Sequence, residues 1–491
     1  MEHLRRHPVA IAAALAFLAR LPALTRPVRA DEAGFLLVAR SWDPQPDSMF
    51  GPFWVDRPPS LIVVFRAVDE LGGVTTLRVL GALVVAATVL LVGALGREVA
   101  TARAAGWAAA AAAALLSNPM IDVVAVKGEL LALPLLTGSM LLASRSVRRT
   151  SPPLALAAGV AAGLAVGLKQ NLVTGLVFAG VLIVVAWRTG RLPGGRALAL
   201  ASAGAAGAAV PVVATILWAR TAGVRLGTLW EAVYGFRAEA AGVIADGSTD
   251  APERRATVLL LIAVGCGLLA LVAGLLAHLR GAWDDDPPVV AATLAVVATD
   301  LVGLAGGGSF WRDYLTPLVP GAALCVALVA ARPGPEARRV RGTVLATVAS
   351  AAVAMVAWVG WNATGQQEFD EVRTGEALRT AAAPGDTLVA FGGRADLQYA
   401  SGLGSPYPYL WSLPMRTRDP GYADLRALLA GPDAPTWLVE WASFRSWAPT
   451  PSDELVRVVE ERYVAHGAAC NGHPIYLLRG ADRPEPTPAC G

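Results

Sequence analysis

Apolar runs of about 17 to 25 residues, the length that crosses a hydrocarbon core as a helix, recur along the first three quarters of the chain. Short arginine-bearing segments divide them. They lie near 8–24, 77–96, 103–118, 129–144, 153–168, 171–187, 197–218, 257–279, 288–305, 315–331 and 343–361, and predict about eleven transmembrane helices. From Glu368 onward the pattern changes. Short apolar runs at 387–391, 437–441 and 475–478 alternate with helical stretches at 423–429 and 453–464, which predicts a small α/β domain. The division falls at 1–361 for the membrane domain and 362–491 for the second domain. A proline-rich tail at 484–488 is expected to be disordered.

Composition fixes the broad class. The 491 residues are 55% hydrophobic and 16% charged, with a mean hydropathy of +0.51, whereas a soluble domain carries about 25% charged residues. The chain reads as an α-helical polytopic membrane protein. Its net charge of +3 is small and its arginines are scattered, so nothing points to nucleic acid.

Arginines in alternate short connections set the orientation. Arg5 and Arg6, Arg97 and Arg103, Arg145 with Arg148 and Arg149, Arg188 with Arg191 and Arg196, and Arg332 with Arg338, Arg339 and Arg341 mark the inner face. The expected N-terminus is therefore cytoplasmic. The long loops 25–76 and 219–256 and residues 362–491 then face outward from the cytoplasmic (inner) membrane of a bacterial cell. A cleaved signal peptide ending at Val28-Arg29-Ala30 is the competing reading, but Arg20, Pro22 and Pro27 interrupt its apolar run.

Cysteine placement agrees with this topology. Cys266 and Cys325 fall in apolar spans and read as small buried side chains. Cys470 and Cys490 fall in the outer domain, where a disulfide is expected. The five histidines are dispersed, which gives a zinc site no support. Gly392-Gly393-Arg394 lacks the spacing of a phosphate loop and reads as an ordinary strand-to-helix turn.

Candidate chemistry gathers on the outer face: Asp31, Glu32, Asp56, Arg57, Lys127, Glu129, Lys169, Arg312, Asp313 and Tyr314, drawn from separate outer segments. Of 41 basic residues, the lysines are Lys127 and Lys169, both at outer helix ends. Carboxylates supply a general base or ligands for a hard cation. Arginine and lysine supply charge-assisted hydrogen bonds to phosphate. Together they offer both halves of a transfer reaction from a phosphate-linked donor.

One span, an outer loop bearing Asp31-Glu32, then Asp56-Arg57-Pro58-Pro59, many further spans and an outer α/β domain: this order resembles the GT-C fold glycosyltransferases. Within them it resembles the superfamily of protein O-mannosyltransferases and lipid A aminoarabinose transferases. The resemblance implies an inverting glycosyltransferase that moves a sugar from a polyprenyl-phosphate donor to a glycan, lipid or protein acceptor of the cell envelope. It implies Asp31 as catalytic acid-base residue with Glu32 beside it, and Arg57, Lys169, Arg312, Tyr314 and Lys127 at the donor phosphate. Asp56 and Glu129 would be the carboxylates for a divalent cation such as Mg, Mn or Ca. The chain departs from the commonest family form in having Arg57 for Lys and Ser60 for Leu, and Glu129 stands where Asp is usual. The 163–169 turn and the 312–320 segment resemble the later family motifs. Two other classes remain open on the residues alone: a secondary transporter, and a non-catalytic envelope assembly or sensor protein.

Overall fold

The computed structural model describes residues 7–247, 250–365, 369–447 and 449–490. Among these, seven helical segments are long and apolar enough to cross a membrane: Pro8–Thr25, Val74–Val99, Gly128–Arg149, Gly194–Thr221, Pro287–Gly306, Arg312–Ala330 and Pro335–Ala363. Three more apolar helices, Ala102–Leu116, Pro152–Leu168 and Thr174–Arg188, have 15 to 17 residues. At 1.5 Å per residue they reach roughly 22 to 26 Å, short of a core of about 30 Å. Every apolar stretch read from the sequence falls on one of these helices or on the broken pair described next.

The stretch near 257–279, expected as one continuous span, is broken. It forms Asp250–Gly265 and Leu268–Ala277, bent by 66°. Gly267 sits between them with φ +81, a left-handed conformation that other residues adopt only under strain. A side chain there would also overlap Thr347 of the Pro335–Ala363 helix. Apolar composition alone cannot reveal such a break, because the run from Thr257 to Ala277 is apolar on both sides of it.

Two layers follow from how small residues are placed. Leu318–Ala330 is buried along its whole length and forms the centre of the bundle. Gly194–Thr221 and Pro335–Ala363 lie at the periphery and expose Leu198, Val210, Leu217, Val353 and Val356, as helices facing lipid should. Gly194–Thr221 packs against Pro152–Leu168 at backbone distance: a methyl at Gly159 would overlap the Gly204 carbonyl, and one at Gly207 the Leu156 carbonyl. Such close approach lets helices associate by dispersion where no hydrophobic effect drives them together.

The long connections expected on the outer face are themselves folded. Residues 25–76 hold the helices Ala30–Arg40 and Pro59–Glu70, the second begun by the Pro58-Pro59 pair, whose fixed φ suits a first turn. Residues 219–256 hold Leu226–Trp230, a π-type turn at Glu231–Gly235, and Phe236–Ala245.

The C-terminal region contains a four-stranded sheet in the order β1-β2-β4-β3, from β1 Leu388–Phe391, β2 Trp437–Glu440, β3 Tyr463–Ala468 and β4 Pro474–Leu478. β1 and β2 are parallel; β4 runs antiparallel to both β2 and β3. Apolar cores lie on its two faces, one around Phe391, Tyr422, Leu438 and Tyr463, the other around Leu388, Trp437, Val439 and Ile475. Three sequence expectations need correction. β3 is a strand where Tyr463 and Val464 were read as the end of a helix, which stops at Arg462. The helices Ala395–Ser401 and Ser412–Arg418 were not foreseen. The tail is held on the sheet: Arg483 pairs with Asp386 at 2.7 Å, His466 meets the Arg483 carbonyl at 2.8 Å, and Pro486 is buried.

Cys470 and Cys490 form a disulfide with Cα atoms 5.2 Å apart, 20 positions apart in sequence, and Cys266 and Cys325 are free and buried. Closing a loop of that size contributes about 3 kcal/mol. A Cys470→Ser, Cys490→Ser double variant should therefore show faster hydrogen exchange across β3, β4 and the tail, with exchange in the membrane helices unchanged. Unchanged exchange in β4 would rule out a stabilising role.

Candidate active site

Residues Asp31 and Glu32 are adjacent, and on a helix adjacent side chains diverge by about 100°. Glu32 points inward and is fully buried. Its Oε2 accepts from Arg78 Nη2 at 2.6 Å and from the Arg29 backbone N–H at 3.0 Å, and its Oε1 accepts from the Val126 N–H at 2.8 Å. Arg78 in turn donates to the carbonyls of Val124 and Pro27 at 2.5 and 3.2 Å. Glu32, grouped with Asp31 by sequence, thus does not line the cavity; it ties the start of Ala30–Arg40 to Val74–Val99 and to the 124–126 segment.

Asp31 points outward into a cavity of about 1080 Å³. Asp56, Arg57, Lys127, Glu129, Lys169, Arg312, Asp313 and Tyr314 line the same cavity. Val126, pinned by Glu32, presents the next residue, Lys127, to Asp31: Nζ lies 2.8 Å from Asp31 Oδ2 and 3.3 Å from Asp313 Oδ2. The other Asp31 oxygen accepts from the Trp411 indole N–H at 2.9 Å. Burial alone would raise the Asp31 pKa, but the Lys127 and Arg57 charges and the hydrogen bonds from Lys127 and Trp411 outweigh it and hold it at about 2. Burial likewise works to discharge Lys127, yet Asp31, Asp313 and Glu129 keep its pKa well above the ordinary lysine value. At neutral pH the pair is fully ionised.

Arg57 Nη1 lies 2.6 Å from Asp56 Oδ1, and the guanidinium sits 5.8 Å from the Phe35 ring centre. Asp56 also pairs with Arg237, a partner no sequence motif announced. Lys169 pairs with Glu129, and its ammonium lies 4.8 Å from the Tyr314 ring centre. Gly128 permits this pairing by letting the first turn of Gly128–Arg149 approach the Leu168 carbonyl. Arg312 lines the cavity with no ion-pair partner among the described residues.

The carboxylates assigned to a divalent cation do not assemble as ligands. Asp56 is engaged by two arginines and Glu129 by a lysine. Among the described residues no group of three or more His, Cys, Asp or Glu side chains is placed to hold a metal. The donor set does not fit a cation site of the kind the resemblance implied.

The C-terminal region lines the cavity with Arg394, Trp411, Arg416 and Trp447, and Phe236–Ala245 contributes Phe236 and Arg237. Phe236 packs on Trp54 at 4.4 Å, whereas Trp230 and Tyr234 pack on each other and are exposed.

No protein-family model matches the chain, and no curated protein sequence matches it. Solved structures do. ArnT from Cupriavidus metallidurans bound to undecaprenyl phosphate is similar at 15% identity with a TM-score of 0.64, over 98% of each chain. The oligosaccharyltransferase of Archaeoglobus fulgidus in the apo form is similar at 13% identity with a TM-score of 0.54, over 97% of this chain and 74% of that one. The same archaeal enzyme, AglB, in complex with an inhibitory peptide and a dolichol-phosphate, gives 13% identity and a TM-score of 0.51, over 98% and 75%. These likenesses establish the fold: a multi-pass helical membrane protein of GT-C type carrying a C-terminal α/β region.

The buried pair generates a stability prediction. Glu32→Ala leaves Arg78 charged and unpaired in the interior, which costs about 3–5 kcal/mol. The variant should unfold at markedly lower temperature in detergent, and an unchanged midpoint would show that the pair does not brace this corner.

Proposed function

We propose that the chain is an inverting glycosyltransferase of the cytoplasmic membrane. It would take a sugar from a polyprenyl-phosphate donor and pass it to a glycan, lipid or protein acceptor at the outer face, with residues 1–361 as the transferase domain, 362–491 outside and the N-terminus inside. The observation that carries the reading is one cavity in which the ionised Asp31 stands beside Lys127, with Arg57, Lys169 and Arg312 around it. The fold likeness supports it, since ArnT is held with undecaprenyl phosphate and AglB with dolichol-phosphate.

In the proposed reaction the acceptor hydroxyl oxygen bonds to the sugar's anomeric carbon on the face opposite the phosphate. The carbon–oxygen bond to phosphate breaks, and its electron pair leaves with the polyprenyl phosphate. The hydroxyl proton passes to Asp31. A carboxylate held at a pKa of about 2 is a weak base toward a neutral alcohol. It accepts a hydrogen bond at the outset and takes the proton late, once bonding to an oxocarbenium-like carbon has made the hydroxyl strongly acidic.

The leaving phosphate gains charge as the bond breaks, so cations near it stabilise the transition state more than the ground state. Arg57, Lys169 and Lys127 are already neutralised by carboxylates, and the phosphate must share or displace these partners. Arg312 is uncommitted and meets it without such exchange, while the Tyr314 hydroxyl is a further donor. No step is routed through a metal.

A transporter needs access from both faces. None of the cavity-lining residues lies in the arginine-rich connections, and the fully buried Leu318–Ala330 helix fills the centre of the bundle. No observation favours that reading or the non-catalytic one.

Turnover is read as undecaprenyl phosphate released from undecaprenyl-phosphate arabinose, mannose, galactose or aminoarabinose, with cell-envelope extract as acceptor. Asp31→Asn keeps the shape of the side chain but cannot take the proton, and should lower the rate about 10² to 10⁴-fold. Turnover near that of the wild type would remove Asp31 from the mechanism.

Arg57→Ala leaves Asp56 still paired with Arg237, so the loop stays neutralised and the melting temperature should hold. Affinity for undecaprenyl phosphate should fall by roughly 1.5–3 kcal/mol, the range for hydrogen bonds to charged groups. Normal lipid binding with earlier melting would make Arg57 a structural counter-ion.

A further inference from the structure

We propose that Trp411 is a positioning residue for Asp31, so that the C-terminal region supplies part of the reacting constellation as well as an outer wall. The inference rests on the reading that Asp31 receives the acceptor proton. Trp411 lies 380 positions from Asp31 in sequence, yet its indole N–H donates to Asp31 Oδ1 at 2.9 Å while Lys127 holds Oδ2 at 2.8 Å. One donor on each oxygen stops the carboxylate from rotating about its terminal bond. The lone pairs left over face the cavity, toward which the side chain is about a third exposed.

The indole is itself fixed from two sides. On the membrane side it lies on Gly34, one turn along from Asp31, so closely that a methyl there would overlap the six-membered ring, and its centre is 5.5 Å from the Phe35 ring. On the other side its backbone bridges to Arg394, and Gly393 packs against that backbone with no room for a side chain. The neighbouring Leu410 is buried in the core of the membrane helices. A tryptophan needed only for packing would place its N–H on any acceptor or on water. Here the N–H is aimed at the one ionised oxygen that Lys127 leaves free.

Geometry of this kind matters because a proton acceptor displaced by about an ångström loses much of its effect. The consequence is specific: loss of the N–H should lower the turnover number and leave donor binding alone, because Trp411 is not among the cations that meet phosphate.

The test uses the full-length protein in detergent, with the donors and envelope extract named above, and with undecaprenyl phosphate as the binding probe. Two changes at 411 are compared: Trp411→Phe, and replacement of the indole by a benzothiophene, which puts sulfur where the N–H stands and preserves the shape. Both should lower kcat about tenfold or more, with the Kd for undecaprenyl phosphate within twofold of wild type. In an Asp31→Asn background, Trp411→Phe should slow the residual rate no further, as expected for a residue acting through Asp31. A benzothiophene variant with wild-type kcat, while Asp31→Asn is slowed about 10²-fold or more, overturns the positioning role and leaves the proposed function standing. If Trp411→Phe fails to fold, the shape-preserving replacement decides alone. An active Asp31→Asn protein, or a wild-type protein that consumes none of the four donors, defeats the underlying reading and this inference with it.

Discussion

The buried pair of Glu32 and Arg78 is the constraint on which the rest of the site depends. An ion pair sealed from water contributes little net stability, because desolvating two charges offsets their attraction. What it contributes is definition: with exposures of 0% and 1% the two side chains have no solvent to turn to, so protein partners must meet them, and all of their polar atoms but Arg78 Nε are met. Those partners are the Arg29 and Val126 N–H groups and the Val124 and Pro27 carbonyls. Satisfying them fixes the first turn of Ala30–Arg40 against the segment that ends in Lys127. Asp31 is one residue from Glu32, and Lys127 is one residue from Val126. The contact between them is set by the pair behind it, one position away on each strand of chain.

Around that contact the cavity is close to neutral by construction. Asp31 and Asp313 share Lys127, Asp56 shares Arg57 and Arg237, and Glu129 holds Lys169. In a low-dielectric setting such pairing holds Asp31 and Lys127 ionised where burial would otherwise discharge them. It also sets what an arriving phosphate meets. On the proposed reading, a phosphate that reaches Arg57, Lys127 or Lys169 exchanges with a carboxylate already there, which lowers affinity for the leaving group and favours its release after transfer.

The fold was legible where hydropathy carries it. Spans of apolar residues follow from the bilayer's intolerance of unpaired backbone groups, so existence and order of the helices could be read, and Cys470 with Cys490 could be paired by compartment. Legibility failed where one residue's backbone decides, as at Gly267, and where a strand is short and half-exposed, as at Tyr463–Ala468. At the site, Asp31, Arg57, Lys127 and Lys169 could be named because charges beside apolar spans are costly unless used. That Asp31 and Glu32 face opposite ways could not, because adjacency in sequence says nothing of which side chain meets the interior. Asp56 and Glu129 suggested a cation site because a lone sequence shows carboxylates without the arginines and lysines folded onto them. Arg237 and Trp411 carried no signal, since their partners lie far away along the chain.

The cavity's two sides come from chemically different parts of the molecule, and this bears on how donor and acceptor would be kept apart. The membrane helices and the connection 25–76 bring the lysines, Arg312 and Arg57, which on the proposed reading suit the phosphate of a lipid donor. The C-terminal region brings Trp411, Trp447, Arg394 and Arg416, flat aromatic faces beside cations, which on the proposed reading suit a polar acceptor. Asp31 stands on the seam, held by Lys127 from one side and Trp411 from the other. On the proposed reading, a carboxylate so placed is oriented only when both parts are docked, and docking also narrows the route by which water could intercept the activated sugar. Such a requirement explains why a transferase would let its outer domain reach into the reacting centre and not merely cap it.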